Sequence, residues 1–584
     1  MVDVTRHNFA TVFPQFESDL KKCSYVSLDC EFSHLPSDDF ENSFFDDGPE
    51  RYLKIRNHLH NTVILQVGLS LFTFMRDLKK YNATIYRFYI VPRPFGPVQT
   101  SLLFKSATLQ FLCRNKFDFN KCFYDGISFL NETQERLVKM KLTNGSLINW
   151  IDSALDYKDV ENATTHSSAI VAWLANSSYN DTYEIPVETD DISYRYFIHK
   201  EIRRRFVETW TFNAEDNSRI IVKHVTKEDR RIHELNDDDP ASTENLIKSL
   251  LGFTEVFKLL MKSKKPLVGH NLLYDLLIMY HQFYQDLPPS YNSFKSTLHE
   301  MFPEIYDTKL MAFEIQKLLN KVLLYDTSLG NLYALLQDEG GIIYQPFINL
   351  VSGNYVKDEL QRLHDAGWDS YFTGFCFIKL GYYLINSQNR KFFIYIVPTK
   401  SGMQFYKIAM MKSENLGHVL LAISVIDLYS DEEFKSYFSN SSLRLITFKE
   451  CMNSLAFLAN KISLARAKIP YVNLSGNDPA SIRPPILHVC WKKGTTMKRT
   501  EIANLFDKYG LIHKKECSSN SMLIATSNYG CYKDILRDFK QHRDIKVERY
   551  SLLRHHTGFK IAMCAAVILP VGCTLWYNRQ SWFV

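Results

Sequence analysis

This chain of 584 residues has no Cys-x-x-Cys pair, no internal repeat or low-complexity tract, and no apolar core of signal-peptide type in its opening MVDVTRHNFATVF. With an odd set of eleven cysteines, the first absence argues against a zinc ribbon or a disulfide framework and for free thiols in a reducing compartment. The second gives no sign of a repeat architecture, and the third argues against a secretory leader. Nor is there a marked excess of one charge: 69 basic against 64 acidic residues leave +5, which permits a polyanionic partner without demanding one. An apolar content of 46% with 23% charged residues is that of globular protein, and the length implies about two to four domains.

One long apolar run is present. Ile561 to Tyr577 (IAMCAAVILPVGCTLWY) carries no charge and is flanked by Arg554, Lys560 and Arg579. Its 17 residues meet the lower limit for a membrane-spanning helix, and Pro570 and Gly572 are tolerated in such helices. The seven residues after it cannot wrap a core helix, so the run predicts a tail anchor that leaves the body of the protein in the cytosol.

Ahead of the anchor, SYVSLDCEF, VILQVGLSLFTF and IYRFYIV read as three strands, the last stopped by Pro92 and Pro94. Helical patterns follow, giving an α/β layer whose sheet begins as an antiparallel meander. Residues 1–144 form the first part of this domain, 145–240 a polar inserted domain with an exposed linker, and 241–480 the second part. In the last of these, KPLVGHNLLYD is a strand feeding a helix from Leu272 to Tyr284. Residues 485–550 run strand, helix, two strands, helix, strand, the order of an RNA-recognition-motif (RRM) fold.

The chemistry sits in three places. Asp29 and Glu31 are two apart on the strand Tyr25–Phe32, so period-two geometry points both to one side. Acids on an apolar strand need partners or a metal. Gly269-His270-Asn271 leads to Asp275 in the first turn of a helix, where capping and dipole effects would equally place it. His364 stands five residues before Asp369, which opens the apolar helix Ser370–Leu384. Together, four carboxylates and a histidine at that spacing form the DEDDh exonuclease pattern. Four acids can hold two divalent cations about 4 Å apart, and hard oxygen donors select Mg2+, with Mn2+ able to substitute. His364 would take a proton from the attacking water. The tyrosine variant of the pattern needs Tyr at position 365, which is Asp365.

The motifs DCEFSHL, FDFNKCFYDGISFLN, VGHNLLYDLLIMYHQF, FPEIYDTKLMA, HDAGWDSYFTGFCFI and IPYVNLSGND resemble those of the poly(A)-specific ribonucleases, the PARN-type DEDD exonucleases, over residues 1 to about 550. The resemblance implies an α/β, RNase H-like DEDD core split by a small Arg-x-x-x-His-type insertion and followed by an RRM-like α+β domain and a C-terminal transmembrane helix. It makes Asp29, Glu31, Asp275 and Asp369 the metal ligands and His364 the general base. It puts Phe32, Leu35 and Lys309 at the RNA 3′ end, where each could equally be packing. Arg195 and His199 keep the Arg-x-x-x-His spacing, and Arg203, Arg204 and Arg205 offer a phosphate-binding face, with a solvated helix surface as the other reading.

Two departures shift the expected substrate. HKKECSS (His513 to Ser519) stands where the deadenylases carry a cap-stacking tryptophan, and MLIATS offers no exposed ring for bases. That module is then expected to serve dimerisation or packing. An anchored nuclease of this kind resembles the pre-piRNA trimmer branch of the family. The branch implies 3′-to-5′ shortening of single-stranded precursor piRNAs held by a Piwi protein, with Tudor-domain adaptors, at the cytosolic face of the mitochondrial outer membrane or of the endoplasmic reticulum. The alternative is a membrane-tethered deadenylase or general small-RNA 3′-end maturase.

Overall fold

A computed structural model describes residues 1–35, 42–59, 61–77, 80–98, 100–154, 157–187, 192–215, 218–235, 242–318, 326–337, 346–351, 362–388, 392–399, 402–413, 417–426, 446–492 and 497–555. The expected anchor, Ile561 to Tyr577, lies outside these residues. Among those described, no helix is long and apolar enough to cross a membrane. The nine described cysteines are all free. The chain divides into two compact units, Met1–Pro36 with Arg56–Ser463, and Ser37–Ile55 with the rest.

The first unit is built on one sheet. Its early strands are β1 (Val2–Val4), β2 (Tyr25–Phe32), β3 (Ile64–Met75) and β4 (Lys80–Tyr89), in the spatial order β1-β4-β3-β2. Next to β2 come Leu267–Gly269, Ile305–Asp307 and Lys461–Ser463, while Phe347–Leu350 also pairs with β4. As expected, β2, β3 and β4 form an antiparallel meander. Val2–Val4 and Phe347–Leu350 pair in parallel with β4, Leu267–Gly269 in parallel with both β2 and Ile305–Asp307, and Lys461–Ser463 in parallel with Ile305–Asp307.

β3 is buried at its first nine positions, as befits a central strand covered on both faces. The helix Phe9–Lys22 lies on one face, with Phe16 edge-on to Tyr86 and Phe88. The helix Ala366–Gln388 lies on the other and is buried along most of its length. It starts four residues earlier than the pattern predicts, so Asp369 belongs to its first turn rather than preceding it. The helix after Gly269 is also broken: α-helical from Leu273 to Met279, it loosens into a π-turn over Tyr280–Tyr284. Phe392–Thr399, Gly402–Ser413 and Gly417–Ile426 form a separate three-stranded antiparallel sheet.

The 145–240 stretch has a three-stranded antiparallel sheet of its own, Thr182–Pro186, Arg219–His224 and Thr209–Asn213. Its core is shared, for Tyr194, Phe197 and Ile220 cluster with Phe95, Leu130 and Leu246. In the second unit the expected βαββαβ order is found. The four strands lie in the order Ile512–Ser518, Ser521–Thr526, Leu487–Trp491, Ile545–Arg549, all antiparallel. The residues MLIATS are buried at every strand position, and the His513 ring packs 4.3 Å from Phe44.

Candidate active site

Alternation along β2 and β3 assembles the site. Tyr25, Ser27, Asp29 and Glu31 share one face of β2, and their partners on β3 are Phe72, Ser70, Gly68 and Gln66. This whole row meets the helix Ala366–Gln388. Tyr25 OH donates to the Gly374 carbonyl at 2.9 Å, Ser27 Oγ to the Ser370 carbonyl at 2.7 Å, and Ser70 Oγ lies 2.8 Å from Ser370 Oγ. Gln66 Oε1 accepts from Ala366 N at 2.9 Å. Gly68 stands between them because nothing larger fits. A Cβ there would sit 1.7 Å from the Ala366 carbonyl oxygen. The helix is thereby clamped so that its first-turn acid faces β2: oxygens of Asp29, Glu31 and Asp369 all lie within 4.8 Å of one another.

Asp275 reaches the same strand from its side. Leu267–Gly269 pairs in parallel with β2, so the helix it feeds starts beside the carboxyl end of that strand. Asp275 is buried, and the neighbouring Cys30 offsets part of the effect of that burial on its carboxyl. The intervening turn is held by Asp307, which sequence reasoning missed. This buried carboxylate accepts the N–H groups of Asn271 (3.1 Å), Leu272 (3.2 Å), Lys309 (2.9 Å) and Ser463 (3.0 Å). Asn271 adopts a left-handed φ of 59°, which asparagine tolerates better than most residues. Asp307→Asn is expected to lower stability by about 2–3 kcal/mol, because charge-assisted bonds are replaced by weaker ones and an amide N–H₂ meets donors. Thermal unfolding beside turnover checks this, and an unchanged melting temperature would contradict it.

His364 has a left-handed φ of 68°. Its backbone N–H donates to Asp369 Oδ2 at 2.9 Å, and its ring, on a residue that stays exposed, packs edge-on to Phe111 at 4.8 Å. Partial desolvation of the ring pulls its pKa below the ordinary histidine value, so the imidazole is neutral at pH 7 and able to accept a proton. The next residue, Asp365, is ion-paired to Arg87, which also pairs with Asp3. Arg87 is opposite Gly68 on β4, so one row across the sheet reads Arg87, Gly68, Asp29. Nothing local marks Arg87; Gly68, an isolated glycine inside a strand, did carry the signal of close backbone approach.

The acids are poised against each other. Burial, then Asp369, Asp275 and Glu31, push Asp29 well above the usual carboxylate range, and burial with Asp369 does the same to Glu31. Burial lifts Asp275 and Asp369 to about 7. Asp369 Oδ1 is buried with no hydrogen-bond partner. Like charges packed this closely, around an unsatisfied oxygen, fit a hard divalent cation at Asp29, Glu31 and Asp369 with Asp275 adjoining.

Phe32 follows the bulge at Glu31 and Leu35 lies three residues further along; both are half-buried. Lys309 directly follows Thr308, which caps the Gly269 carbonyl. The insertion needs a correction. His199 is 2% exposed, with Nδ1 2.8 Å from Thr211 Oγ1 and Nε2 2.9 Å from Asn213 Oδ1. Arg203 is buried against Trp210 and bonds Thr211, while Arg204 and Arg205 pair with Glu201. His199 and Arg203 thus hold the insertion together, and neither a phosphate-binding face nor a solvated surface describes them. Arg195, half-buried, lines a cavity of about 770 Å³ with Arg6, Arg93 and Lys248.

A three-acid cluster on an RNase H-like sheet is the ground plan of metal-dependent nucleases, and comparison with known proteins agrees. The model of the CAF1 family ribonucleases matches residues 4–377. The pre-piRNA 3′-exonuclease trimmer of Bombyx mori is 30% identical over 99% of both chains. Poly(A)-specific ribonuclease PNLDC1 of Mus musculus is 26% identical over 95% of this chain and 94% of its own. Poly(A)-specific ribonuclease PARN of Xenopus laevis is 25% identical over 94% and 81%. The chain is a 3′-to-5′ exoribonuclease. It belongs to the CAF1 ribonuclease family, whose DEDD nucleases use divalent metals.

Proposed function

We propose that this enzyme trims the 3′ ends of precursor piRNAs held by a Piwi protein, releasing 5′-mononucleotides with Mg2+ as its natural ion. The observation that carries the reading is the end-to-end match to the Bombyx mori trimmer at 30% identity. Asp29, Glu31, Asp275 and Asp369 hold the metal; bound there, two ions would lower the pKa of a water and stabilise the leaving oxygen. His364, neutral at working pH, takes the water's proton, and Asp369 fixes its backbone. Arg87 keeps the His364–Asp365 turn in place. Phe32, Leu35 and Lys309 border the 3′ nucleotide, and Arg195 meets RNA further along.

Residues 485–550 act as an RRM-like packing or dimerisation module, consistent with a strand face whose His513 is already engaged by Phe44. Ile561 to Tyr577 anchors the enzyme on the cytosolic face of the mitochondrial outer membrane, with the endoplasmic reticulum the second choice. A Tudor-domain adaptor brings the Piwi complex. The test compares purified enzyme on naked poly(A) and on Piwi-loaded precursor. Trimming of the loaded precursor to one length, with slow attack on free poly(A), is the expected result. Rapid, unaided digestion of poly(A) with no action on the loaded RNA would establish the deadenylase reading instead.

A further inference from the structure

The second unit holds another group of metal-ligating side chains: His488, Glu548 and His555, whose ligand atoms lie within 4.8 Å of one another. His488 and Glu548 are directly opposed on the antiparallel strands Leu487–Trp491 and Ile545–Arg549. Alternation sends Leu487 and Val489 into the core and leaves His488 on the other face. His555 arrives from the short helix Leu552–His555 that follows the last strand. Its Nε2 is 2.8 Å from Glu548 Oε1, and its ring is 4.4 Å from that of His488.

We propose that these three side chains bind a zinc-class divalent ion that ties the segment after the last strand to the sheet. Two imidazoles and one carboxylate are a donor set for borderline ions, unlike the all-oxygen cluster of the active site. His488 Nδ1 is buried and has no hydrogen-bond partner, a defect that an ion bound to this nitrogen removes. His555 is prepared for the same ion. Its Nδ1 lies 2.9 Å from the Ser551 N–H and 3.0 Å from the Ser551 carbonyl. One tautomer accepts from that N–H and points its Nε2–H at Glu548. The other donates Nδ1–H to the carbonyl, the usual support of a metal-ligating histidine, and leaves the Nε2 lone pair to an ion. The second carboxylate oxygen of Glu548 is 2.9 Å from Lys546 Nζ, which keeps the ligand oriented.

The test uses full-length protein stripped of metal, then titrated calorimetrically with Zn2+ in excess Mg2+, with Co2+ absorption as a second readout. One equivalent of tight Zn2+ is expected in wild type and in Asp29→Asn/Glu31→Gln. His488→Gln and Glu548→Gln should each weaken it at least tenfold, while turnover of a naked oligonucleotide stays at the wild-type rate and certifies their fold. The site is refuted if His488→Gln and Glu548→Gln titrate like wild type, or if all Zn2+ binding disappears with Asp29→Asn/Glu31→Gln.

Discussion

Asp29→Asn/Glu31→Gln is expected to lose turnover by about 10³-fold or more while the metal-free protein becomes harder to unfold. The first effect follows from a metal centre worth several kcal/mol of transition-state stabilisation, each 1.4 kcal/mol being tenfold in rate. The second follows from repulsion. Asp29 and Glu31 share their surroundings with Asp275, Asp365 and Asp369, and a neutral amide relieves each of those encounters. The pH dependence has a definite sign. Asp275 and Asp369 reach about 7 when folded, against an ordinary 3.8. A raised acid binds its proton more tightly in the folded state. These two groups therefore stabilise the metal-free protein fully below about pH 4, and that contribution drains away as pH rises to about 7. Divalent metal should flatten the profile. Melting curves from pH 4 to 8, with chelator and with Mg2+, measure it. A metal-free stability that rises across that window would sink the account.

Gly68→Ala is the second large effect, and it touches no reacting group. The added methyl would lie 1.7 Å from the Ala366 carbonyl oxygen and 2.6 Å from Gly367 N, both backbone atoms of the helix start. Flexible side chains could swing aside; here the helix itself must lift. Overpacking of this kind costs about 3 kcal/mol or more. Any lift also separates Asp369 from Asp29 and displaces the His364 turn, so activity should fall further than stability does. The comparison that isolates the cause is Val67→Ala on the opposite face of the same strand. It leaves a cavity but does not touch the helix start, so it should lower the melting temperature with turnover largely retained. Equal losses of activity in the two variants would show that general destabilisation, not helix position, is responsible.

These two cases also show what could be read without coordinates. That Asp29, Glu31 and Asp369 come together could be expected because each lies in a short motif whose spacing is local: two apart on a strand, and five residues after His364 at a helix start. The meander and the βαββαβ order were legible from alternation and breakers. Asp307 and Arg87 were not, since their roles consist of bonds to residues up to 278 positions away. His199 and Arg203 were misread for the opposite reason. The Arg-x-x-x-His spacing of the one and the charge of the other suggested a ligand, but Thr211, Asn213 and Trp210, which claim them, sit on a strand that the polar composition hid.

The clamp between β2 and the Ala366–Gln388 helix has a consequence in time. Its bonds join residues 343 and 349 positions apart, so β2 leaves the ribosome long before its cover exists. At about 5–20 residues per second, the gap is roughly 17–70 s. Throughout it, a row holding two carboxylates and Tyr25 faces water on an uncovered face of the sheet. Contacts of such sequence separation also slow folding itself. The nascent chain should therefore depend on chaperones during synthesis, and a ribosome-bound intermediate ending before Ala366 should be protease-sensitive at β2 and β3.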